Sequence, residues 1–413
     1  MLRYPGCVPR AGWVKPQSDQ RLSDHISIGV LTRVFPPGLV DRVVADAGRV
    51  QVRNRLLPAR VVVYYVLGLA LFSQASYEEV MRDLTEGLAW ASGWARPWSV
   101  PTKAALFKAR ARLGYEPLKA LFEAAARPLA VQETKGAFYR GWRVMSIDGT
   151  CLDAADTPAN DEAFGRPGTG RGSGKGAYPQ VRLAGLAECG THALTAAAMG
   201  PYRTGEATLA RDLLPRLGAG MLVLADRYYY SYRLWAAAAG TGAQLCWRTK
   251  ANHVLPVAER LADGSYLSVV REVRGHHYTG REMPVRVIEY GVDDGRADEG
   301  PLYRLITTIA DPAGAPAAEL AALYGERWEF ETALDELKTH QRGPRAVLRS
   351  KMPDGVRQEI YGYLCVHYAI RWLMHTVALE AGADPDRLSF TRTLRAARRT
   401  ARSQPGFSPS DAD

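Results

Sequence analysis

The sequence predicts a mixed α/β core that follows an all-helical N-terminal region. Hydrophobic residues recur at helical spacing from Leu22 to about Val131. From Gly141 onward, short apolar segments that end in turn or acidic residues alternate with helical segments. The chain has 413 residues, 47 % of them hydrophobic, which is enough for two or three domains with a sizeable core. We therefore expect a helical region and an α/β region, divided near residue 135.

The first region, residues 1–135, is expected to be helical, basic and DNA-binding. Its first 20 residues contain Pro, Gly and isolated charges, and we expect them to be loose. Further along, Ser76 and Glu79 have the spacing of a capping box, which predicts the start of a helix.

A second helix of this region is predicted by PTKAALFKARARLG (101–114), beginning after Ser99 and ending at Gly114. Two interpretations of this basic helix stay open. It is either the second helix of a helix-turn-helix arrangement or an ordinary amphipathic helix of a bundle. In the first case the DNA contacts are expected to include Lys103, Lys108 and Arg110.

Residues 136–250 are expected to form the first part of the α/β core. The predicted order is three strands, a helix, a strand, a helix and a strand. The segments are RVMSIDGT (143–150), QVRLAGLAE (180–188), THALTAAAMG (191–200), EATLARDLLPRL (206–217), MLVLADR (221–227), SYRLWAAAAG (231–240) and QLCWRTK (244–250). This order is that of the ribonuclease-H-like fold, a mixed α/β sheet.

The rest of the chain interrupts and then completes that core. Strand-like segments separated by Asp/Gly turns predict an inserted β subdomain over residues 251–312. Residues 313–380 are expected to form the second part of the core, with one long helix from about Pro316 to His340 and an apolar helix that backs the sheet. Residues 381–413 are a basic tail whose regularly spaced arginines predict a helix, either against DNA or with a solvated face.

Positive charge is concentrated at the two ends of the chain. Lys and Arg outnumber Asp and Glu by 19 to 11 in residues 1–135 and by 6 to 4 in residues 381–413, whereas residues 136–380 carry 28 of each. This distribution favours a polyanionic partner that is contacted by the ends.

Cysteine usage and hydropathy favour a cytoplasmic protein. The five cysteines form no CxxC pair, and the eight histidines show no zinc-binding spacing. The N-terminus lacks an apolar signal segment. The apolar run Val61–Phe72 is 12 residues long, far short of the roughly 20 that span a bilayer. We expect reduced thiols and no membrane partner.

Four functional side chains share one face of the predicted helix within YGERWEFETALDELKTHQ. Tyr324, Arg327, Glu331 and Lys338 follow one another at spacings of 3, 4 and 7, and an α-helix turns about 100° per residue. A phenol, two cations and a carboxylate in one stripe favour a surface that binds phosphates and holds a metal. The alternative is a solvated face with ion pairs such as Arg327–Glu331.

Two further acids are expected beside this stripe. Asp148 and Asp226 are each predicted at the end of a strand, and the fold order makes these strands neighbours. Phosphodiester cleavage by two Mg²⁺ ions needs a few converging carboxylates. Glu331 is the expected third acid, and Asp335 is the alternative on the same face. Two nearby tryptophans, Trp247 and Trp328, are expected to pack in the core.

The chain resembles the DDE transposases of bacterial insertion sequences, in the subgroup marked by a Tyr-x2-Arg-x3-Glu-x6-Lys signature. The resemblance covers about residues 25–400. It is carried by SIDGTCLDAADTPAN (146–160), YPQVRLAGLAECGTHAL (178–194), VLADRYYYS (223–231) and the signature helix. Tyr228 departs from the pattern, because the family often has a small residue there.

The resemblance implies a site and an activity. Asp148, Asp226 and Glu331 would hold two Mg²⁺ ions, with Mn²⁺ as a substitute. Tyr324, Arg327 and Lys338 would contact phosphates at the transposon end, and Arg248 and Lys250 are further DNA-backbone contacts. The protein would cut the element ends and join them to target DNA, as a homodimer or larger synaptic complex. It would be associated with the nucleoid when bound to DNA.

Two rival functions are left open. A ribonuclease-H-like nuclease would cleave without strand transfer. A domesticated DNA-binding protein would bind without catalysis, although the three intact acids count against it.

Overall fold

In the computed structural model the described residues are 2–5, 29–50, 57–91, 101–168, 178–275, 277–293, 302–344 and 346–403. The N-terminal region is helical, as predicted. Its described helices are α1 (Gly29–Val34), α2 (Pro37–Asp46), α3 (Ala59–Leu71), α4 (Tyr77–Ala91), α5 (Lys103–Leu113) and α6 (Glu116–Ala125).

Local capping explains where two of these helices begin. Before α4 the predicted capping box is present, because the Glu79 N–H donates to Ser76 Oγ (3.1 Å) and the Ser76 N–H donates to Glu79 Oε2 (3.4 Å). The start of α5 was predicted too early. Its N-cap is Thr102, whose Oγ1 accepts from the Ala105 N–H at 3.3 Å.

The helical region and the α/β region share one hydrophobic core. Helix α12 (Pro353–Glu380) crosses α3 so closely that a Cβ at Gly362 would lie 3.1 Å from Val66 Cγ1. It packs on the central sheet with another part of its surface. The buried cluster around it runs from Val30 in α1 to Val181 and Leu183 in the sheet. The predicted division at residue 135 is therefore a change of secondary structure within a continuous core.

The central sheet has the ribonuclease-H-like order. Its strands are β3 (Trp142–Asp153), β4 (Gln180–Glu188), β5 (Ala193–Pro201), β6 (Met221–Ala225) and β7 (Gln244–Arg248), with the short β2 (Phe138–Tyr139) beside β3. The order in space is β5-β4-β3-β6-β7. Strand β4 pairs antiparallel with both β5 and β3, whereas β3, β6 and β7 are parallel to one another. Between them lie α7 (Pro158–Phe164), α8 (Glu206–Leu209), a 3₁₀ segment (Ala210–Arg216) and α9 (Tyr232–Ala239).

The inserted β segment continues this sheet. Its strands are β8 (Glu259–Arg260), β9 (Tyr266–Arg274), β10 (His277–Asp293) and β11 (Leu302–Thr307), in the order β7-β11-β10-β9-β8. The insertion joins the core by backbone pairing, because β11 lies antiparallel to β7 with Leu305 opposite Arg248. The expectation of a loose N-terminus was wrong at β1 (Leu2–Pro5), which pairs in parallel with β10.

The predicted single helix from Pro316 to His340 changes pitch three times. It consists of α10 (Ala317–Leu323), a 3₁₀ turn (Tyr324–Arg327), α11 (Trp328–Asp335) and a π-helical turn (Glu336–Gln341). A 3₁₀ turn has 3.0 residues per turn instead of 3.6. A constant rotation of 100° per residue therefore does not describe this segment.

The basic tail is, through Ser403, part of the helical bundle. After a short 3₁₀ turn (Pro385–Arg387), helix α13 (Phe390–Ser403) buries Leu394 and Ala397. Arg398 Nε donates to the Leu71 carbonyl of α3 at 2.6 Å, and its Nη2 donates to the Gln341 carbonyl at 3.1 Å. Residues 404–413 of the predicted tail lie outside the described residues.

Candidate active site

Asp148 and Asp226 meet where the pairing of β3 with β6 stops. The last paired residues are Ile147 and Ala225, so the two acids follow side by side. Asp148 was predicted to end its strand, and this was wrong, because it lies inside β3. The strand continues because its pairing with β4 extends to Asp153. Asp226 directly follows β6, as predicted.

Arg327 connects Asp148 to Glu331. Its Nη1 donates to Asp148 Oδ2 at 2.8 Å and its Nη2 donates to Glu331 Oε1 at 3.2 Å. Arg327 is 8 % exposed. Burial opposes its charge, but Tyr324, Asp148, Asp226 and Glu331 raise the pKa of Arg327. One guanidinium thus lies within the field of all three candidate acids.

Burial raises the pKa of Asp148 to about 6. The N–H of Gly149 and the guanidinium of Arg327 act in the opposite direction, whereas Glu331 and Glu206 add to the increase. Arg327 therefore compensates only part of the cost of a buried carboxylate among other acids.

Glu331 and Asp335, the two alternatives for the third acid, occupy different environments. Glu331 faces Arg327 and is half-buried, whereas Asp335 is largely exposed and lies 3.2 Å from His340 Nε2. The geometry favours Glu331, because only this carboxylate contacts the guanidinium that also binds Asp148.

The other two side chains of the signature also lie against the sheet. Tyr324 is buried, and its hydroxyl donates to the carbonyl of Ala225 at 3.4 Å, one residue before Asp226. Burial raises the pKa of the Tyr324 hydroxyl. Lys338 Nζ donates to Thr150 Oγ1 at 2.8 Å, on the same strand as Asp148. Tyr324 therefore touches the backbone beside an acid, and Lys338 is half-buried along β3.

The predicted contacts at the end of β7 lie next to Asp226. Trp247 is opposite Ala225 in the parallel pairing, so Arg248 lies beside Asp226. The guanidinium of Arg248 stacks 3.8 Å from the centre of the Tyr303 ring, and Lys250 is exposed.

The two tryptophans differ. Trp247 is buried and meets Trp235 edge-on, as predicted. Trp328 was predicted to be a core residue, and this was wrong. It is 59 % exposed, and the guanidinium of Arg327 lies 5.1 Å from its ring centre. Tyr228, the departure from the family pattern, is also exposed beside Asp226.

The three basic residues predicted on α5 separate into two groups. Lys103 and Lys108 are exposed. Arg110 is 7 % exposed, and its guanidinium donates to Gln358 Oε1 at 2.7 Å and to Ser350 Oγ at 3.1 Å. The expected DNA contact by Arg110 is therefore replaced by a buried structural contact between α5 and α12.

Sequence reasoning missed one acidic residue and one cluster of polar residues. The acidic residue is Glu206, which contributes to the raised pKa of Asp148. The other comprises His192, Glu329 and Asp386, whose ligand atoms lie within 4.8 Å of one another. Among the described residues, the three candidate acids do not form such a close group. No spacing motif marks the residue or the cluster, because the side chains that meet there come from distant parts of the chain.

The donor set at Asp148, Asp226 and Glu331 fits a hard divalent cation. All three donors are carboxylates, which Mg²⁺ and Mn²⁺ prefer. Burial, with smaller contributions from Glu331 and Glu206, raises the pKa of Asp148, and a bound cation would favour its ionised form.

The strand order of the central sheet defines the ribonuclease-H-like fold class. A family model described as "Transposase DDE domain" matches residues 140–369, and one described as "Insertion element 4 transposase N-terminal" matches residues 25–123. The chain belongs to the DDE transposases of the insertion element 4 family. It is therefore an enzyme that uses a divalent metal to cut and join DNA.

One curated relative and one solved structure illustrate the likeness. The chain is similar to the transposase InsG for insertion sequence element IS4 of Escherichia coli K12, with 30 % identity over 390 residues, 90 % of this chain and 83 % of that protein. A cryo-EM structure of the piggyBac transposase synaptic complex with hairpin DNA aligns with a TM-score of 0.49 and 11 % identity, over 93 % of this chain and 82 % of that chain.

No described helix combines the length and the apolar character needed to cross a membrane.

Proposed function

We propose that this transposase cuts insertion-sequence ends and joins the freed 3′-hydroxyl to target DNA, with Asp148, Asp226 and Glu331 holding two Mg²⁺ ions. One observation carries this proposal. The β3–β6 register puts Asp148 beside Asp226, and Arg327 joins Asp148 to Glu331. When bound, such ions activate the attacking oxygen and stabilise the leaving oxygen.

Arg327 acts as an internal counter-ion of the metal-free site. It donates to both carboxylates, at 2.8 Å to Asp148 and 3.2 Å to Glu331, and so lies between them. A guanidinium is a planar fork that suits a carboxylate or a phosphate equally well. Arg327 is therefore equipped to exchange carboxylate for DNA phosphate when metal and substrate bind.

The remaining signature residues divide between positioning and DNA contact. Tyr324 was expected to contact a phosphate, but it is buried and donates to the Ala225 carbonyl, so its proposed role is to position Asp226. Lys338 is held beside β3 by Thr150 and supplies a point charge for a phosphate near Asp148. Arg248 and Lys250, beside Asp226, extend the basic surface along the DNA backbone.

The partner is double-stranded DNA, first as element end and then as target. We propose a homodimer or larger synaptic complex, because two ends must be joined in one reaction. The exposed Lys103 and Lys108 of the helical region 1–135 are proposed backbone contacts. Such an enzyme would meet its DNA in the bacterial cytoplasm.

The test is nicking and strand transfer on DNA that carries the element ends, with Mg²⁺. Asp148→Asn, Asp226→Asn and Glu331→Gln are each expected to reduce both reactions by at least about 100-fold, since loss of even an outer-shell partner costs 10–100-fold. The matched control is Asp335→Asn, which removes an exposed carboxylate of the same helix and should leave both reactions unchanged.

The outcomes separate the proposal from its rivals. Undiminished nicking by Asp148→Asn would show that the metal-site assignment is wrong. Nicking by the wild type without joining to a target plasmid would indicate a nuclease. Specific binding of the ends without any metal-dependent cleavage would indicate a DNA-binding protein that has lost catalysis.

A further inference from the structure

The edge of β3 is open just beyond the paired part of β6. Pairing with β6 ends at Ile147, while pairing with β4 continues to Asp153. Asp148 and Gly149 therefore have a strand on one side only. Successive residues of a strand face opposite sides of the sheet, so groups from both faces can approach this edge.

The Glu206 side chain lies at this open edge of β3, on the face of the sheet opposite Glu331. Helix α8 begins at Glu206, and its side chain packs directly on Gly149. A Cβ at Gly149 would lie 2.9 Å from Glu206 Cδ and 2.9 Å from the Leu183 carbonyl oxygen. Only glycine at position 149 leaves room for this carboxylate next to Asp148.

Arg182 of β4 holds Glu206 in place. Its Nη1 donates to Glu206 Oε1 at 3.0 Å, and its Nε donates to the Tyr202 carbonyl at 3.0 Å. The Tyr202 ring lies 5.1 Å from the guanidinium. The carboxylate is thus fixed by a side chain that is itself bound at two further points.

Tyr229 adds an independent observation at the same place. It is 1 % exposed, and its hydroxyl has no hydrogen-bond partner among the described residues. Burial raises the pKa of Tyr229, and Glu206, Asp148 and Asp226 raise it further. This buried, unpartnered hydroxyl lies in the electrostatic field of Glu206, Asp148 and Asp226, and a metal-bound water would satisfy it.

We propose that Glu206 is a fourth carboxylate of the divalent-metal site, with Arg182 as its positioning residue. The inference rests on the proposed function and adds a residue to it. Four carboxylates then face two guanidinium groups, those of Arg327 and Arg182. The excess of negative charge is balanced by a divalent cation.

The experiment is a titration of the DNA-free full-length protein with Mn²⁺, followed by electron paramagnetic resonance of the free ion. Glu206→Gln is expected to weaken Mn²⁺ binding by at least about 10-fold. Glu206→Asp keeps the charge and should bind more tightly than Glu206→Gln but less tightly than the wild type. The matched control is Glu289→Gln, which breaks a comparable carboxylate–arginine pair with Arg304 (2.6 Å) in the inserted strands. It should bind as the wild type does.

Wild-type Mn²⁺ affinity in Glu206→Gln would overturn the proposal, and so would a loss equal to that of Glu289→Gln. Thermal unfolding in EDTA shows which variants are folded. If Glu206→Gln is not folded, Glu206→Asp decides. Weaker Mn²⁺ binding by Glu206→Asp than by the wild type would support the proposal, and unchanged binding would contradict it. Asp148→Asn, titrated in parallel, tests the proposed function separately. If it keeps full affinity while Glu206→Gln loses it, Glu206 serves a metal but the assignment of Asp148 fails.

Discussion

Replacing Asp148 by Asn should stabilise the metal-free protein at neutral pH. Burial holds the pKa of Asp148 at about 6 in the folded protein, against an ordinary value of 3.8. A carboxyl group whose pKa is raised by folding favours the folded state only while it is protonated. Its destabilising effect is absent below the unfolded pKa and complete above the folded one.

The magnitude follows from these two values. At pH 7.5, where Asp148 is ionised in both states, the difference between the two pKa values destabilises the folded protein by about 3 kcal/mol. At pH 5 the destabilisation is about 1.5 kcal/mol, and both figures are upper limits. Asn has nearly the same shape and carries no charge at either pH. The gain in free energy of unfolding for Asp148→Asn over the wild type should therefore grow as the pH rises from 5 to 7.5.

Urea unfolding in EDTA at the two pH values measures this gain. Asp335→Asn is the control for loss of one carboxylate, because Asp335 is 57 % exposed at its side chain. Addition of Mg²⁺ should stabilise the wild type and not Asp148→Asn, because only binding to the folded state raises stability. Equal or lower stability of Asp148→Asn at pH 7.5 in EDTA would refute the reasoning.

Three further predictions concern residues whose environment differs from the pattern of the sequence. Arg110→Ala should lower the free energy of unfolding by about 3 kcal/mol or more, because it leaves the buried Glu359 without its cation, 3.7 Å away; a change below about 1 kcal/mol in urea unfolding would contradict this. Lys103→Ala and Lys108→Ala should each reduce the slope of log affinity against log salt by about 0.9, the value for one phosphate contact; an unchanged slope in a binding titration would argue against contact. Trp328→Ala should change stability by no more than about 0.5 kcal/mol, as expected for an exposed position; a large loss on thermal unfolding would show that it is a core residue after all.

The sheet could be predicted because its strands carry local signals. Each core strand is a short apolar segment bounded by turn residues, and the order of the segments limits the topologies to a few. That order also made Asp148 and Asp226 neighbours, since parallel strands end at the same edge. The length of β3 could not be predicted, because it depends on pairing with β4 through Asp153, a contact between distant segments.

The surroundings of the signature residues were harder to predict for a geometric reason. The prediction that the signature residues share one helix face assumed a uniform α-helix. The 3₁₀ turn at Tyr324–Arg327 and the π turn at Glu336–Gln341 alter the rotation per residue. The Arg327–Glu331 ion pair is an i,i+4 contact that helix periodicity does contain, but the contact of Arg327 with Asp148 is a tertiary one that it does not.

Arg110 illustrates the same limit. A basic residue on an amphipathic helix favours solvent or DNA, and its actual partners, Gln358 and Ser350, are some 240 residues away in the chain. Trp328 was assigned to the core because it lies off the stripe of functional residues, but its side chain is exposed and lies against the guanidinium of Arg327.

The central claim is that Asp148, Asp226 and Glu331 hold the catalytic metal ions. The most direct measurement is nicking of end-containing DNA by Asp226→Cys with Mg²⁺ and with Mn²⁺. Mn²⁺ accepts a thiolate ligand more readily than Mg²⁺, which prefers oxygen. We predict that Asp226→Cys is inactive with Mg²⁺ and regains part of its activity with Mn²⁺. Full activity with Mg²⁺ would contradict the claim, and so would inactivity of the folded variant with both ions.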